Sequence, residues 1–294
     1  MNDYRINTIQ AVVEMGSLKK ASEKLGLTQP AVSQHIKYLE DYYGVPFFDH
    51  IGRKLVLNDA GRFFIEAANK SDLVFQKLKK DLSFMKEGRK QYVIGATLTI
   101  GEFILPPLLG KYKESHPEQN LTIHIENTAA VLALLDKGKI DLALVEGPFE
   151  KERYKHMLFL EDEMIFIGSR KYINNESKAI GNEELANSEL ILREEGSGTR
   201  FYWEKYCRDH RIAVPKSSVL MEVGSLSAIK ALVEAGIGCS VMSKRAVNKE
   251  LLLGTIKTRP FKTGPLFRDL YFVYNQDSPA GFIDNFFTES INYL

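Results

Sequence analysis

Residues 17–44 spell two short amphipathic helices hinged on a single glycine, and no other stretch restricts the fold as tightly. Ser17 offers an N-cap for a helix over 18–25. Gly26 supplies the turn, because glycine takes positive φ at no steric cost. Thr28 caps a second helix, with Pro30 in the first turn, where N–H groups have no intrahelical partner. That helix runs to about Tyr43 and stops at Gly44. Ala21, Leu25, Val32, Ile36 and Leu39 have the spacing of inward faces on two crossing helices. The outward face of the second helix carries Gln29, Ser33, Gln34 and Lys37. Phe47-Phe48 and Leu55-Val56-Leu57 then flank His50-Ile51-Gly52-Arg53-Lys54, which reads as a two-stranded wing with Arg53 and Lys54 at its tip.

Small polar side chains and one lysine suit insertion into a major groove. Gln pairs with adenine, Ser contacts several bases, and Lys reaches guanine or phosphate. A basic wing tip suits a phosphate. Ser17, Thr28, Gln29, Pro30, Ser33, Gln34, Lys37, Arg53 and Lys54 are therefore the candidate contacts to double-stranded DNA. Charge alone does not name that partner: the whole chain carries only +1, so the inference depends on where the charges point. The structural alternative is an ordinary helical hairpin packed on the rest of the chain.

Asn58 can cap a helix starting at Asp59, whose carboxylate suits the positive end of the helix dipole. Phe64, Ala68, Ser71, Phe75, Leu78, Leu82 and Met85 recur at alternating spacings of four and three, the seam of a coiled coil. Lys77, Lys79, Lys80, Lys86, Arg89 and Lys90 keep the other side solvated, and Gly88 ends the helix. A strict a/d stripe is narrower than the buried face of most globular helices, so dimerisation is expected. Two-fold symmetry would then read an inverted repeat.

From Gln91 onward apolar strand-like runs (92–96, 121–125, 140–145, 164–168, 189–192, 219–223, 239–242, 270–274) alternate with helical ones, which implies βαβ units and a mainly parallel sheet. Two strand-to-helix turns are rich in small and hydroxyl residues. One is Gly95-Ala96-Thr97-Leu98-Thr99-Ile100-Gly101 and the other Arg193-Glu194-Glu195-Gly196-Ser197-Gly198-Thr199-Arg200. Helix N-termini with Ser or Thr hydroxyls bind anions. Gly224-Ser225 is a third such turn. The bland reading makes these residues N-caps only. The turns lack a Walker pattern and a spaced G-x-G-x-x-G, so no nucleotide is expected.

Other readings carry less. At 294 residues two domains are the prior. Cys207 and Cys239 cannot make a disulfide framework and read as buried structural thiols. The histidines show no metal-ligand spacing, so no metal is expected. Ser227-x-x-Lys230 and Lys262-Thr263-Gly264 echo serine β-lactamase signatures, but their separation is too short and no S-D-N lies between them. Ser227 and Lys230 read as an exposed helix face, and no catalytic residue is assigned. No apolar run reaches 18 residues and the first residues do not form a signal peptide, so a cytoplasmic protein with no membrane partner is expected.

Gly16-Ser17, Ala21, Leu25, Gln29-Pro30-Ala31-Val32-Ser33, Leu39-Glu40, Gly44, Phe48 and Arg53 fall in an order that closely resembles the winged helix-turn-helix of LysR-type transcriptional regulators. Ser22, Phe47, His50 and Asn58 depart from that pattern. The resemblance continues through the linker helix to the end of the chain. It implies an α/β protein in three parts: an N-terminal winged helix-turn-helix (1–58), a long dimerisation linker helix (59–90) and a two-lobed effector domain (91–294) like type II periplasmic binding proteins. Lobe I would take about 91–162 and 267–294, and lobe II about 163–266. Thr99-Ile100-Gly101-Glu102, Gly138-Lys139-Ile140-Asp141-Leu142, Val145-Glu146-Gly147 and Gly196-Ser197-Gly198-Thr199-Arg200 look most like the regulators of sulfur assimilation and carbon fixation. The resemblance then implies a small-molecule effector without a cofactor: a small anion such as a sulfur oxyanion, or a carboxylate or phosphorylated metabolite. Thr97, Leu98, Thr99, Glu146, Ser197, Gly198, Thr199 and Ser225 would line its site. It also implies a homodimer that assembles further into a tetramer. The competing reading is a cytoplasmic small-molecule binding protein without a DNA function.

Overall fold

The structure is a computed structural model that describes residues 3–51, 54–86 and 90–293. The chain divides into two units, Met1–Glu87 and Gly88–Leu294.

In the first unit α1 (Tyr4–Met15), α2 (Leu18–Leu25) and α3 (Gln29–Tyr43) pack around Ile9, Val12, Ala21, Val32, Ile36 and Leu39. Gly26 closes α2 at φ 64°, the left-handed conformation that makes the sharp turn into α3. β1 (Phe48–Ile51) and β2 (Lys54–Leu57) pair antiparallel. The Phe47 N–H donates to Glu40 Oε1 at 2.7 Å, which ties the entry of this hairpin to α3. Asn58 caps α4 (Asp59–Lys86), accepting from the Gly61 N–H at 2.9 Å.

α4 corrects the seam expectation in part. Phe64 stacks on Phe47 at 4.4 Å and Ala68 is buried, so the early turns of α4 close the core of their own unit. Further along, Phe75, Leu78 and Leu82 are 41%, 50% and 56% exposed. Met85 lies in α4 and Lys54 opens β2, both described by backbone alone, while Arg53 and Gly88 fall outside the described residues.

The second unit opens with β3 (Lys90–Thr97), which leads through a π-helical turn (Ile100–Ile104) into α5 (Leu105–Ser115). β4 (Gln119–Glu126), α6 (Thr128–Asp136) and β5 (Leu142–Val145) follow, and β3 pairs in parallel with both β4 and β5. A long strand, β6 (Lys155–Gly168), carries the chain onward. Next come α7 (Asn182–Ala186), β7 (Leu190–Leu192), α8 (Gly198–Asp209), β8 (Val219–Glu222), α9 (Leu226–Glu234), β9 (Ser240–Ser243), α10 (Asn248–Leu253) and β10 (Lys257–Arg259). β11 (Leu266–Tyr274) and α11 (Ala280–Tyr293) return the chain.

The main sheet runs β10-β6-β11-β5-β3-β4, with β9 also on β6. It is mixed, not mainly parallel. β11 lies antiparallel to both β5 and β6, and β9 and β10 lie antiparallel to β6. The reason is topological: β6 and β11 run in opposite directions between the two lobes and belong to both. Their Phe159, Leu270 and Phe272 join the core with Ile94, Leu105 and Phe286. Their Met164, Phe166 and Leu266 join the core with Trp203, Tyr206 and Cys239. Periodicity finds only one end of each strand, because Glu161-Asp162-Glu163 and Arg268-Asp269 break the apolar run. Among the described residues no helix is long and apolar enough to cross a membrane.

Candidate functional site

Two places gather the candidate residues, one in each unit. In the first unit the amphipathic wheel of α3 decides which side chains are free. Val32, Ile36 and Leu39 are buried, whereas Gln29, Pro30, Ser33, Gln34 and Lys37 are all exposed. Thr28 Oγ1 accepts from the Ala31 N–H at 3.4 Å, so the N-terminal turn is capped at its own expense. Ser17 stands at the N-cap of α2 but accepts no cap bond. α3 is braced from behind by a Thr8 Oγ1–His35 Nδ1 bond of 2.9 Å. It is braced at one edge by the Arg5 guanidinium, 3.5 Å over the Tyr38 ring. A braced helix with an open row of amide, hydroxyl and ammonium groups suits the major groove.

In the second unit the site grows around a charge inside the sheet. Arg268 on β11 is fully buried. Its Nε donates to Asp162 Oδ2 on β6 at 2.9 Å, and Nη2 lies 2.8 Å from the same oxygen. Its Nη1 donates to Thr199 Oγ1 in the first turn of α8 at 3.0 Å and lies 3.5 Å from Glu146 Oε1, just past β5. The Thr97 hydroxyl at the end of β3 donates to Glu146 Oε2. One guanidinium thus joins the ends of β3 and β5 in one lobe to the start of α8 in the other. Burial pushes the Glu146 carboxyl above its ordinary range, against the lowering pull of Arg268 and Arg193.

The loops also touch by shape. A Cβ at Gly198 would sit 2.9 Å from both Glu146 Cγ and the Gly147 N, and a Cβ at Gly147 would run into Thr128 Oγ1. Only glycine lets these turns approach so closely. Beside this contact the hydroxyls of Ser197 and Thr128 are buried without a hydrogen-bond partner, and so is that of Thr99 in the turn after β3. Unpaired buried hydroxyls are costly and uncommon, and a ligand with acceptor atoms would satisfy them. Ser197 sits at the N-cap of α8 without capping it, and α8 and α6 both present N-termini here, so the local field favours negative charge.

The structure therefore brings Thr97, Glu146, Ser197, Gly198 and Thr199 together, and buries Thr99 two residues beyond Thr97. Leu98 is half-buried against the apolar cluster of Ile165, Ile229 and Val247, a packing contact between lobes. Ser225 is exposed and caps α9, accepting from the Ala228 N–H at 3.3 Å, and a Cβ at the preceding Gly224 would lie 3.8 Å from Glu194 Oε2, on the loop that leads to Ser197. Lys230 does not share an exposed face with Ser227: it is half-buried and bonds Glu250 Oε1 at 2.8 Å and Ala246 O at 3.1 Å. Cys207 and Cys239 are buried, and desolvation lifts both thiols to about 12, which makes them inert at neutral pH. Arg268, Asp162 and Thr128 escape sequence reasoning. The first two announce themselves only as charges inside apolar strands, and Thr128 as a hydroxyl after the Asn127 cap.

Two family models match the chain. "Bacterial regulatory helix-turn-helix protein, lysR family" covers residues 4–62 and "LysR substrate binding domain" covers 86–286. The HTH-type transcriptional activator CmpR of Synechocystis sp. is 31% identical over 289 residues, which span 97% of this chain and 93% of that protein. A point variant of full-length OxyR from Pseudomonas aeruginosa superposes with a TM-score of 0.64 at 22% identity, covering 99% of this chain and 95% of that one. The Synechocystis CcmR regulatory domain in complex with 2-PG superposes with a TM-score of 0.62 at 23% identity, covering 69% of this chain and 99% of that one.

Proposed function

The chain belongs to the LysR family of DNA-binding transcriptional regulators, and from that membership we propose how its two units divide the work. α3 enters the major groove and reads bases through Gln29, Ser33, Gln34 and Lys37, with Ser17, Thr28, Pro30, Arg53 and Lys54 holding the backbone. The exposed stretch of α4 at Phe75, Leu78 and Leu82 pairs two chains. The dimer meets an inverted repeat, and two dimers form a tetramer in the cytoplasm.

The effector is a small anion held between the Thr97–Thr99 turn of one lobe and the Ser197–Thr199 turn of the other. A sulfur oxyanion, a small carboxylate and a phosphorylated metabolite all have the acceptors this requires. The observation that carries the reading is the buried hydroxyl set of Thr99 and Ser197, left without protein partners beside two helix N-termini. A small ligand on the similar CcmR domain supports it. Binding must favour one arrangement of the lobes by about 1–3 kcal/mol to regulate anything. A thermal-shift screen of sulfur oxyanions, phosphorylated sugars and small carboxylates tests the reading, with Trp203 fluorescence as a second signal. A hit should weaken in Thr99→Ala and in Ser197→Ala. A screen that leaves both signals flat refutes it.

A further inference from the structure

We propose that the cleft takes up one proton together with its anion, and that Glu146 carries the proton. The inference rests on the anion reading above and adds what decides when the anion binds.

Glu146 is 1% exposed. The charged groups that act on it are Arg268 from β11, Asp162 from β6 and Arg193 from the segment after β7. Its uncharged neighbours are Thr97 from β3 and Gly198 at the start of α8, and the Tyr202 phenol of α8 also feels its charge. Both cations are already engaged. Arg193 grips Glu194 with two parallel bonds, Nε to Oε2 at 2.7 Å and Nη2 to Oε1 at 2.8 Å. Arg268 lies on Asp162 at 2.9 and 2.8 Å, and Ser243 Oγ adds a bond to Asp162 Oδ1 at 2.8 Å. Glu146 receives only the looser 3.5 Å approach of Arg268 and one hydroxyl. Arg245 Nε also approaches Asp162 Oδ1, at 3.9 Å. Glu146 is thus the carboxylate of this cluster that guanidinium groups hold least closely, and it abuts the first turn of α8, where a Cβ at Gly198 would lie 2.9 Å from its Cγ.

An anion arriving beside an ionised, buried carboxylate meets like-charge repulsion at low effective dielectric. A proton from solvent on Glu146 removes that repulsion and leaves a carboxyl O–H, a donor for an anion that only accepts. The balance is simple: protein, anion and one proton give the complex, and the single new covalent bond is the O–H at Glu146. Burial already displaces Glu146 in the direction this requires.

The test is calorimetry on the full chain with sulfate, thiosulfate and methanesulfonate. All three stay fully ionised near neutral pH, so a proton taken up on binding belongs to the protein. Titrations in buffers of different ionisation enthalpy count that proton, and the wild-type chain suffices. Uptake should rise toward one per anion as pH climbs, with affinity falling about tenfold per pH unit in that range. Glu146→Gln, checked for an unchanged melt, should bind with no uptake, no pH dependence and higher affinity than wild type at high pH. Binding with no proton uptake up to about pH 9, or uptake that survives in Glu146→Gln, overturns the proposal and leaves the anion reading standing. If none of the three anions binds at any pH, the proton proposal falls, while the anion reading is decided by the wider screen of carboxylates and phosphorylated sugars.

Discussion

Replacing Arg268 by Met keeps the length of the side chain and removes its charge, which isolates the electrostatic role of the buried guanidinium. Wild type pairs it with Asp162 at 2.9 Å and places it 3.5 Å from Glu146, all three residues being buried. The variant strands two carboxylates in the sheet. Breaking a buried pair by removing one partner costs about 3–5 kcal/mol, a large share of the roughly 5–15 kcal/mol that stabilises a typical domain. The cost should depend on pH with a definite sign. Glu146 is already raised by burial, and Arg268 is the first influence lowering it, so the variant raises it further. A carboxyl raised in the folded state loses stability as pH rises through its folded value. The gap to wild type should therefore be largest at alkaline pH and shrink on acidification. Urea unfolding followed by Trp203, the one tryptophan and a buried member of the core with Tyr206 and Phe261, reports on this unit. Adding Asp162→Asn to the variant should recover part of the loss. A variant as stable as wild type at pH 8, or a gap that does not close on acidification, would refute the reasoning.

Gly198→Ala should cost about 1–3 kcal/mol by overpacking, since its Cβ would lie 2.9 Å from backbone at Gly147, and a melt of the variant checks it. Gln29→Ala and Ser33→Ala should each weaken binding by about 1–3 kcal/mol at particular bases; equal loss on every sequence in a gel-shift panel would argue against groove reading. Leu78→Asp should leave the first unit folded and shift the chain toward monomer in sedimentation, because Leu78 is exposed and outside the unit's core. An unchanged oligomer would move the pairing surface elsewhere.

The first unit is legible because its signals are local. Gly26, Thr28 and the period of Val32, Ile36 and Leu39 each act within a few residues, and the helices form where they point. Phe64 and Ala68 mislead because heptad spacing does not say which partner fills it. The same stripe serves an intramolecular core near Phe47 and is exposed at Phe75, Leu78 and Leu82. In the second unit the hydroxyl turns are legible as strand-to-helix junctions. The ion pair that joins them is not. Arg268 and Asp162 are 106 positions apart, and each looks like the end of a strand, when both sit in the middle of one. Ser225 carries the same cap signal as Ser197 but spends its hydroxyl on the cap, which the sequence does not distinguish.

The division of α4 has a mechanical consequence. Its buried beginning is welded to the helix-turn-helix, so head and shaft turn as a single piece, while the grip proposed for a second chain lies farther out. Leu78 stands about 29 Å along the axis from Asp59 at 1.5 Å per residue. A shaft held there is a lever: ten degrees of added crossing angle sweeps the head by about 5 Å, more than the ~3.4 Å step from one base pair to the next. Small adjustments at the grip are therefore enough to take both heads off their half-sites.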